Sequence, residues 1–84
     1  MQETERPEKM VTGLRQTKKA LEQHRASRVW LACDAESRLT EPLLALCRED
    51  AVPVETGKTM QQLGKLCRIQ VGCAAAAALS FQPE

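Results

Sequence analysis

The densest concentration of chemically useful side chains lies between Gly13 and Lys19, where the chain reads Gly-Leu-Arg-Gln-Thr-Lys-Lys. Gly13 breaks the chain ahead of a helical pattern, which lets a backbone or a ligand approach the helix start closely. The first turn of a helix presents unpaired N–H groups and a partial positive charge, and both suit a phosphate. Arg15, Gln16 and Lys19 fall at i, i+1 and i+4, so a helix offers them near one another, with Lys18 alongside. Arg or Lys can pair with guanine O6 and N7, and a Gln amide can reach a base edge. Taken by itself, the segment fits an ordinary basic surface at least as well.

Other chemistries find less support. Gly57-Lys58-Thr59 follows a strand and opens a helix, as a phosphate-binding P-loop does, but position 52, where that loop needs its first Gly, is Val52. A turn with Thr59 as helix cap explains it. His24 is the lone histidine and has no identifiable nucleophile to activate. Asp34 and Glu36 form a carboxylate pair, but acid–base catalysis would require a cleft that so short a chain can hardly build. The cysteines, Cys33, Cys47, Cys67 and Cys73, are spaced 14, 20 and 6 apart without the close pairs that zinc favours. All lie in apolar stretches and are expected to be buried, reduced thiols. No enzyme activity, cofactor or metal is expected.

The elements that must position these residues are bounded by a length of 84, enough for one compact domain with a thin core. The net charge is only +1, but it is polarised. Residues 11–28 carry five cations against one carboxylate, whereas residues 29–57 carry two against six. Such polarity can orient a polyanion on one face. Met1 to Met10 is charged and lacks the apolar core of a signal peptide. The longest apolar run, Val71 to Leu79, is too short to span a bilayer. A cytoplasmic protein is expected.

Residues 1–9 read as a tail or partial helix and 81–84 as a C-terminal tail, leaving 10–80 as the domain. Met10 to Thr12 suits a short strand, and Leu14, Thr17, Leu21 and His24 recur at helical spacing, giving a helix over about Leu14 to His24. Val29 to Cys33 reads as a strand buried on both faces, with Trp30 in the core. Asp34 to Arg38 is a polar loop. Thr40 should cap a helix that runs to about Glu49, with Pro42 in its first turn. A short strand, Val52 to Glu55, leads to a helix capped by Thr59, with Met60, Leu63, Leu66 and Cys67 as its apolar positions. Cys73 to Leu79 is nearly all alanine, which favours helix. However, alternating strands and helices require a final strand covered on both faces, and alanines let those helices approach closely. The segment is therefore expected to be a strand. The fold class is a single-domain, three-layer α-β-α sandwich around a mixed sheet of about four strands.

Three stretches, in this order, resemble the kink-turn RNA-binding family of large-subunit ribosomal proteins L-seven-Ae and L-thirty-e, most of all its short bacterial members. Gly13 to Leu21 is similar to the family's G-x-N-E-x-x-K-A helix start. Ala32-Cys33-Asp34-Ala35-Glu36 is similar to its A-x-D-A-E. Leu63 to Ala74 is similar to L-G-x-x-x-G-I-E-V-x-x-A. The resemblance covers about Val11 to Leu79.

It implies an α-β-α sandwich that binds RNA helices bent sharply at a bulge beside tandem G·A pairs. Arg15 and Gln16 would stand where the family's Asn and Glu read guanines, Lys19 at its Lys, and Gly13 and Lys18 within the same helix start. The loop of Ile69, Gln70, Val71, Gly72, Cys73 and Ala74 would cover the bulged nucleotides, and Glu36 would touch an exposed base. The implied partner is ribosomal, riboswitch or other regulatory RNA, bound by a monomer, with association with the ribosome among the settings the resemblance implies. Three departures stand out: Arg15, Gln16, and Arg68 in place of the Gly before Ile69. The alternative is a protein-interaction module that keeps the fold without specific RNA recognition. Scarcity of aromatics (Trp30 and Phe81 alone) excludes a base-stacking sheet.

Overall fold

The computed structural model describes residues 10–79; the expectations for residues 1–9 and 81–84 lie outside the described residues. Strand β1 (Met10–Thr12) is followed by α1 (Leu14–Glu22), β2 (Ala26–Leu31), α2 (Ser37–Asp50), β3 (Val54–Glu55), α3 (Met60–Leu66) and β4 (Ala75–Leu79). The sheet order is β1-β4-β2-β3. β4 runs antiparallel to both neighbours, and β2 pairs in parallel with β3.

The alanine run is the central strand. Ala75, Ala76 and Ala77 are fully buried and Ala78 nearly so. Ala75 and Ala77 face a cluster with Leu21, Val29, Leu31, Leu43 and Cys47, which packs α1 and α2 on one side. Ala76 faces Ala32, Leu63 and Cys73 beneath α3 on the other. Helix propensity favours Ala over other residues by only fractions of a kcal/mol each. Ladder hydrogen bonds to two strands and burial on both faces outweigh it. The strand begins at Ala75, so Cys73 and Ala74 belong to the preceding loop.

Several boundaries differ from expectation. β2 starts at Ala26 rather than Val29, because Ala26 and Arg28 pair with Leu79 and Ala78 across a bulge. α2 starts at Ser37, with Glu36 at its N-cap, so Thr40 lies inside the first turn and Pro42 in the second. Leu66 is exposed rather than core. Trp30 is half-buried, with the Arg28 guanidinium 5.9 Å from its ring centroid. The cysteines are free but not uniformly buried: Cys47 and Cys73 are, Cys67 is partly so, and Cys33 is exposed. Cys33 follows the last buried residue of the β2 exit, where the chain turns outward.

All three helices end alike. His24, Ala51 and Arg68 take left-handed φ values of 58°, 55° and 63°. In each case that residue and the next donate N–H groups back to the final helical turn. The pairs are His24 to Leu21 and Arg25 to Ala20, Ala51 to Arg48 and Val52 to Cys47, and Arg68 to Lys65 and Ile69 to Gly64. This is the Schellman arrangement, usually built on Gly because a Cβ disfavours the conformation. None of the three is Gly, which is why spacing alone extended α1 to His24.

Two measurements check these assignments. Ala51→Gly should stabilise the fold by about 0.5–1 kcal/mol in urea unfolding, since relief of left-handed strain exceeds the added chain entropy. Iodoacetamide at pH 8 should label Cys33 first. Cys47, whose thiol pKa is raised by burial and by the nearby Asp50 carboxylate, should label only as the protein unfolds.

Candidate nucleic-acid interface

The three motif stretches converge at one end of the sheet through a set of backbone bonds. Gly13, leaving β1, donates to the Ala75 carbonyl at 2.7 Å, so α1 begins where β4 begins. Ala32, leaving β2, donates to the Ala74 carbonyl at 2.9 Å, and Cys33 donates to Lys58 at 2.8 Å. Cys73 donates to Met60 at 3.0 Å, which fastens the loop after α3 to the start of that helix.

Gly13 has φ 97° and ψ 157°, and no side chain caps the first turn of α1. A residue with a Cβ would be strained there although space is open around it. Along α1, Thr17, Ala20 and Leu21 are buried, leaving Arg15, Gln16, Lys18 and Lys19 exposed. The buried face therefore uses Ala20, and the expected His24 instead lies beyond the helix. Its Nδ1 is 2.8 Å from Asp50 at the end of α2.

The second stretch divides its labour. Asp34 accepts the Met60 N–H at 2.8 Å, which caps α3 from another part of the chain. Thr59 and Gln62 complete the same helix start with a reciprocal capping box. Glu36 is exposed at the α2 N-cap and lies 3.2 Å from Arg38 Nε, an exposed pair that adds little stability.

The third stretch is a loop with a built base and an open tip. Arg68 takes a left-handed φ of 63°, a conformation that usually favours Gly, at the turn that opens the loop. Ile69 packs on the α3 cluster, whereas Gln70, Val71 and Gly72 are exposed, Val71 by 69%. The Val71 carbonyl sits against Gly64, where a Cβ would collide with it. Asp34, Met60, Gln61, Lys65 and the Ile69–Gly72 tip line an open cleft of about 680 Å³. Cys73 is buried, its Sγ directed at the Ala75 carbonyl 2.8 Å away, and Ala74 is half-buried. The Cys67 thiol pKa is pushed up to about 11 by burial and then by the neighbouring Cys73. It therefore carries a proton at neutral pH and puts no anion beside the loop.

The structure thus brings Gly13, the first turn of α1 and the 69–74 loop to one end, with Glu36 on the connection that leaves the same end of β2. Lys19 lies farther along α1, in a cleft shared with Leu79 at the other end of β4. What spacing missed is the supporting set: Asp34 as a distant cap, and Gly64 as the seat of the loop. Among the described residues no group of His, Cys, Asp and Glu is placed to hold a metal ion.

Fold and geometry together define a small α-β-α domain whose candidate site lies at one end of its sheet. The chain belongs to the ribosomal protein L7Ae/L30e/S12e/Gadd45 family, whose sequence model matches residues 1–82. It is 42% identical over 71 residues to an RNA-binding protein of Geobacillus thermodenitrificans, covering 84% of this chain and 87% of that one. It is 44% identical over 71 residues to the RNA-binding protein YbxF of Geobacillus stearothermophilus, with coverage of 84% and 87%. The solved structure of a Giardia lamblia 15.5kD RNA binding protein shares the fold, with TM-score 0.80 and 22% identity. That match covers 87% of this chain and 62% of the other.

Gly64→Ala should push the Val71 carbonyl away and destabilise the protein by about 1–3 kcal/mol. Hydrogen exchange should locate the faster-opening amides at the α3 C-terminus and the loop that follows it.

Proposed function

We propose that this protein binds RNA without catalysing a reaction, and that its target is a kink-turn: a helix bent at a bulge beside tandem G·A pairs. The observation that carries this reading is the Gly13–Ala75 hydrogen bond, which sets an uncapped, cationic helix start beside a loop with an exposed apolar tip. Membership of the family and the RNA-binding relatives support it.

In A-form RNA the major groove is too narrow for side chains, and the kink opens it. The α1 start would then enter at the G·A pairs. Arg15 and Lys19 supply cations for guanine edges or phosphates, Gln16 an amide for a base edge, Lys18 a further backbone contact, and Gly13 room for close approach. Across the opening, Gln70, Val71 and Gly72 would cover the bulged nucleotides, and Glu36 would meet an exposed base. Ile69, Cys73 and Ala74 hold that loop in place rather than offer their side chains. These contacts form only on the bent RNA, so binding shifts the population toward the kink.

This reading describes a cytoplasmic monomer acting on ribosomal or regulatory RNA. Among the described residues no helix is long and apolar enough to cross a membrane.

The test is a kink-turn duplex labelled at both ends and titrated beside one whose G·A pairs are replaced by Watson–Crick pairs. The first should bind at least 10-fold more tightly and bring its ends together. Lys19→Ala should weaken that binding by about 10-fold, the size of one charge-assisted contact. Equal affinity for the two duplexes would leave backbone charge as the sole determinant. If Lys19→Ala left RNA retention in extracts unchanged, a protein-interaction module would be the better account.

A further inference from the structure

We infer that bound RNA continues along one side of α1, toward β1, and that Arg25 is a phosphate contact at the far end of that path. The inference depends on the RNA binding proposed above and extends it to a residue outside the three motif stretches.

The exposed surface of α1 consists of two stripes. Arg15, Lys18 and Glu22 form one, at i, i+3 and i+7; Gln16, Lys19 and Gln23 form the other, at the same spacing. The second lines a cleft. Its polar wall is Gln16, Lys19, Gln23 and Arg25, and Val11 of β1 and Leu79 of β4 lie on its apolar side. The volume, about 140 Å³, is too small for a drug-sized ligand. It is the shape of a shallow track, with two cations, two amide donors and no carboxylate.

Arg25 reaches this track because α1 ends as it does. The left-handed turn at His24 reverses the chain, and the Arg25 N–H bonds the Ala20 carbonyl at 2.9 Å. The next residue, Ala26, pairs with Leu79, so Arg25 is fixed between the helix end and the sheet. From Gln16 to Gln23 the chain rises about 10 Å along the helix axis.

The other side of α1 is mixed in charge, with Arg15 and Lys18 near the helix start and a carboxylate, Glu22, near its end. Glu22 lies on that stripe, and α2, which packs against α1, carries Glu41, Glu49 and Asp50. Asp50 is held beside the end of α1 by its 2.8 Å contact with His24. A duplex that leans toward β1 meets cations and amides alone, whereas one that leans toward α2 meets carboxylates interspersed with Arg38 and Arg48.

The test measures kink-turn RNA affinity of the full chain between 50 and 200 mM salt. Arg25→Ala should weaken binding about 3–10-fold at low salt and make the slope of log K against log salt shallower by nearly one unit. Arg25→Lys should keep most of the slope, and Arg48→Ala on α2 should leave it unchanged. Thermal unfolding of Arg25→Ala should match the parent, excluding a folding defect. Shortening the RNA stem until it no longer reaches the end of α1 should abolish the difference between parent and Arg25→Ala. If Arg25→Ala has the parental slope while Lys19→Ala does not, the path along β1 is wrong and RNA binding stands. If the parent itself binds no RNA, both readings fall.

Discussion

The Ala75 carbonyl is the point on which the geometry of the candidate site depends. It accepts the Gly13 N–H, and it also faces the buried Cys73 thiol. One oxygen at the start of the central strand thereby fixes the origin of α1 and the return of the loop after α3. Neither attachment would reach it if β4 carried bulky side chains. Four consecutive alanines allow α1 and α2 to close on one face while α3 closes on the other. Local preference for helix is overridden because a helix could not provide two ladders and two packed faces at once.

Small residues in the core place the burden of definition on the chain ends of the helices. Each helix stops at a left-handed residue, and each such residue has a side chain. An isolated non-glycine residue in that conformation costs about 1–2 kcal/mol. In a domain of this size three of them are a large share of any marginal stability. At His24 the strain coincides with a contact to Asp50 that joins two helix ends. At Arg68 it coincides with the turn that launches the loop, so a cation occupies a place where glycine would be cheaper for the backbone. Backbone strain of this kind is commonly found at functional sites, and here it falls at the start of the candidate site's loop.

Most of the element order was legible from residue types: the strand at Met10, the helix after Gly13, the Thr59 cap, and the strand through the alanines. The features that were not legible share a cause, because they depend on partners distant in sequence. Ser37 rather than Thr40 begins α2 because Glu36 serves as its N-cap without any side-chain hydrogen bond to advertise it. Asp34 looks like half of a catalytic carboxylate pair until its 2.8 Å bond to Met60 N–H shows it to be a cap. The helix ends carry no glycine, so spacing could not reveal them. Cys33 and Cys67 each follow an apolar stretch of sequence, yet Cys33 is exposed and Cys67 only partly buried, because the chain leaves the core at both points. Of the candidate site, the helix start was readable from charge and spacing, whereas the loop was readable only through its resemblance to a family.

Net charge is a poor guide to this molecule because opposite surpluses cancel. The acidic segment, 29–57, supplies α2, and the basic segment, 11–28, supplies α1, yet the two helices are neighbours in one layer. Their contact face is apolar, so the opposition is felt at the exposed flanks of α1, where one side is backed by carboxylates and the other opens toward β1. A polyanion near such a helix experiences a gradient across it as well as an attraction to it. Screening at physiological salt limits that gradient to about 8 Å, which is less than the helix diameter. Charges on the two flanks are then felt almost separately, and orientation is set by which flank the ligand touches. On the RNA-binding reading proposed above, the carboxylates of α2 would then act on RNA only where it touches that flank of α1.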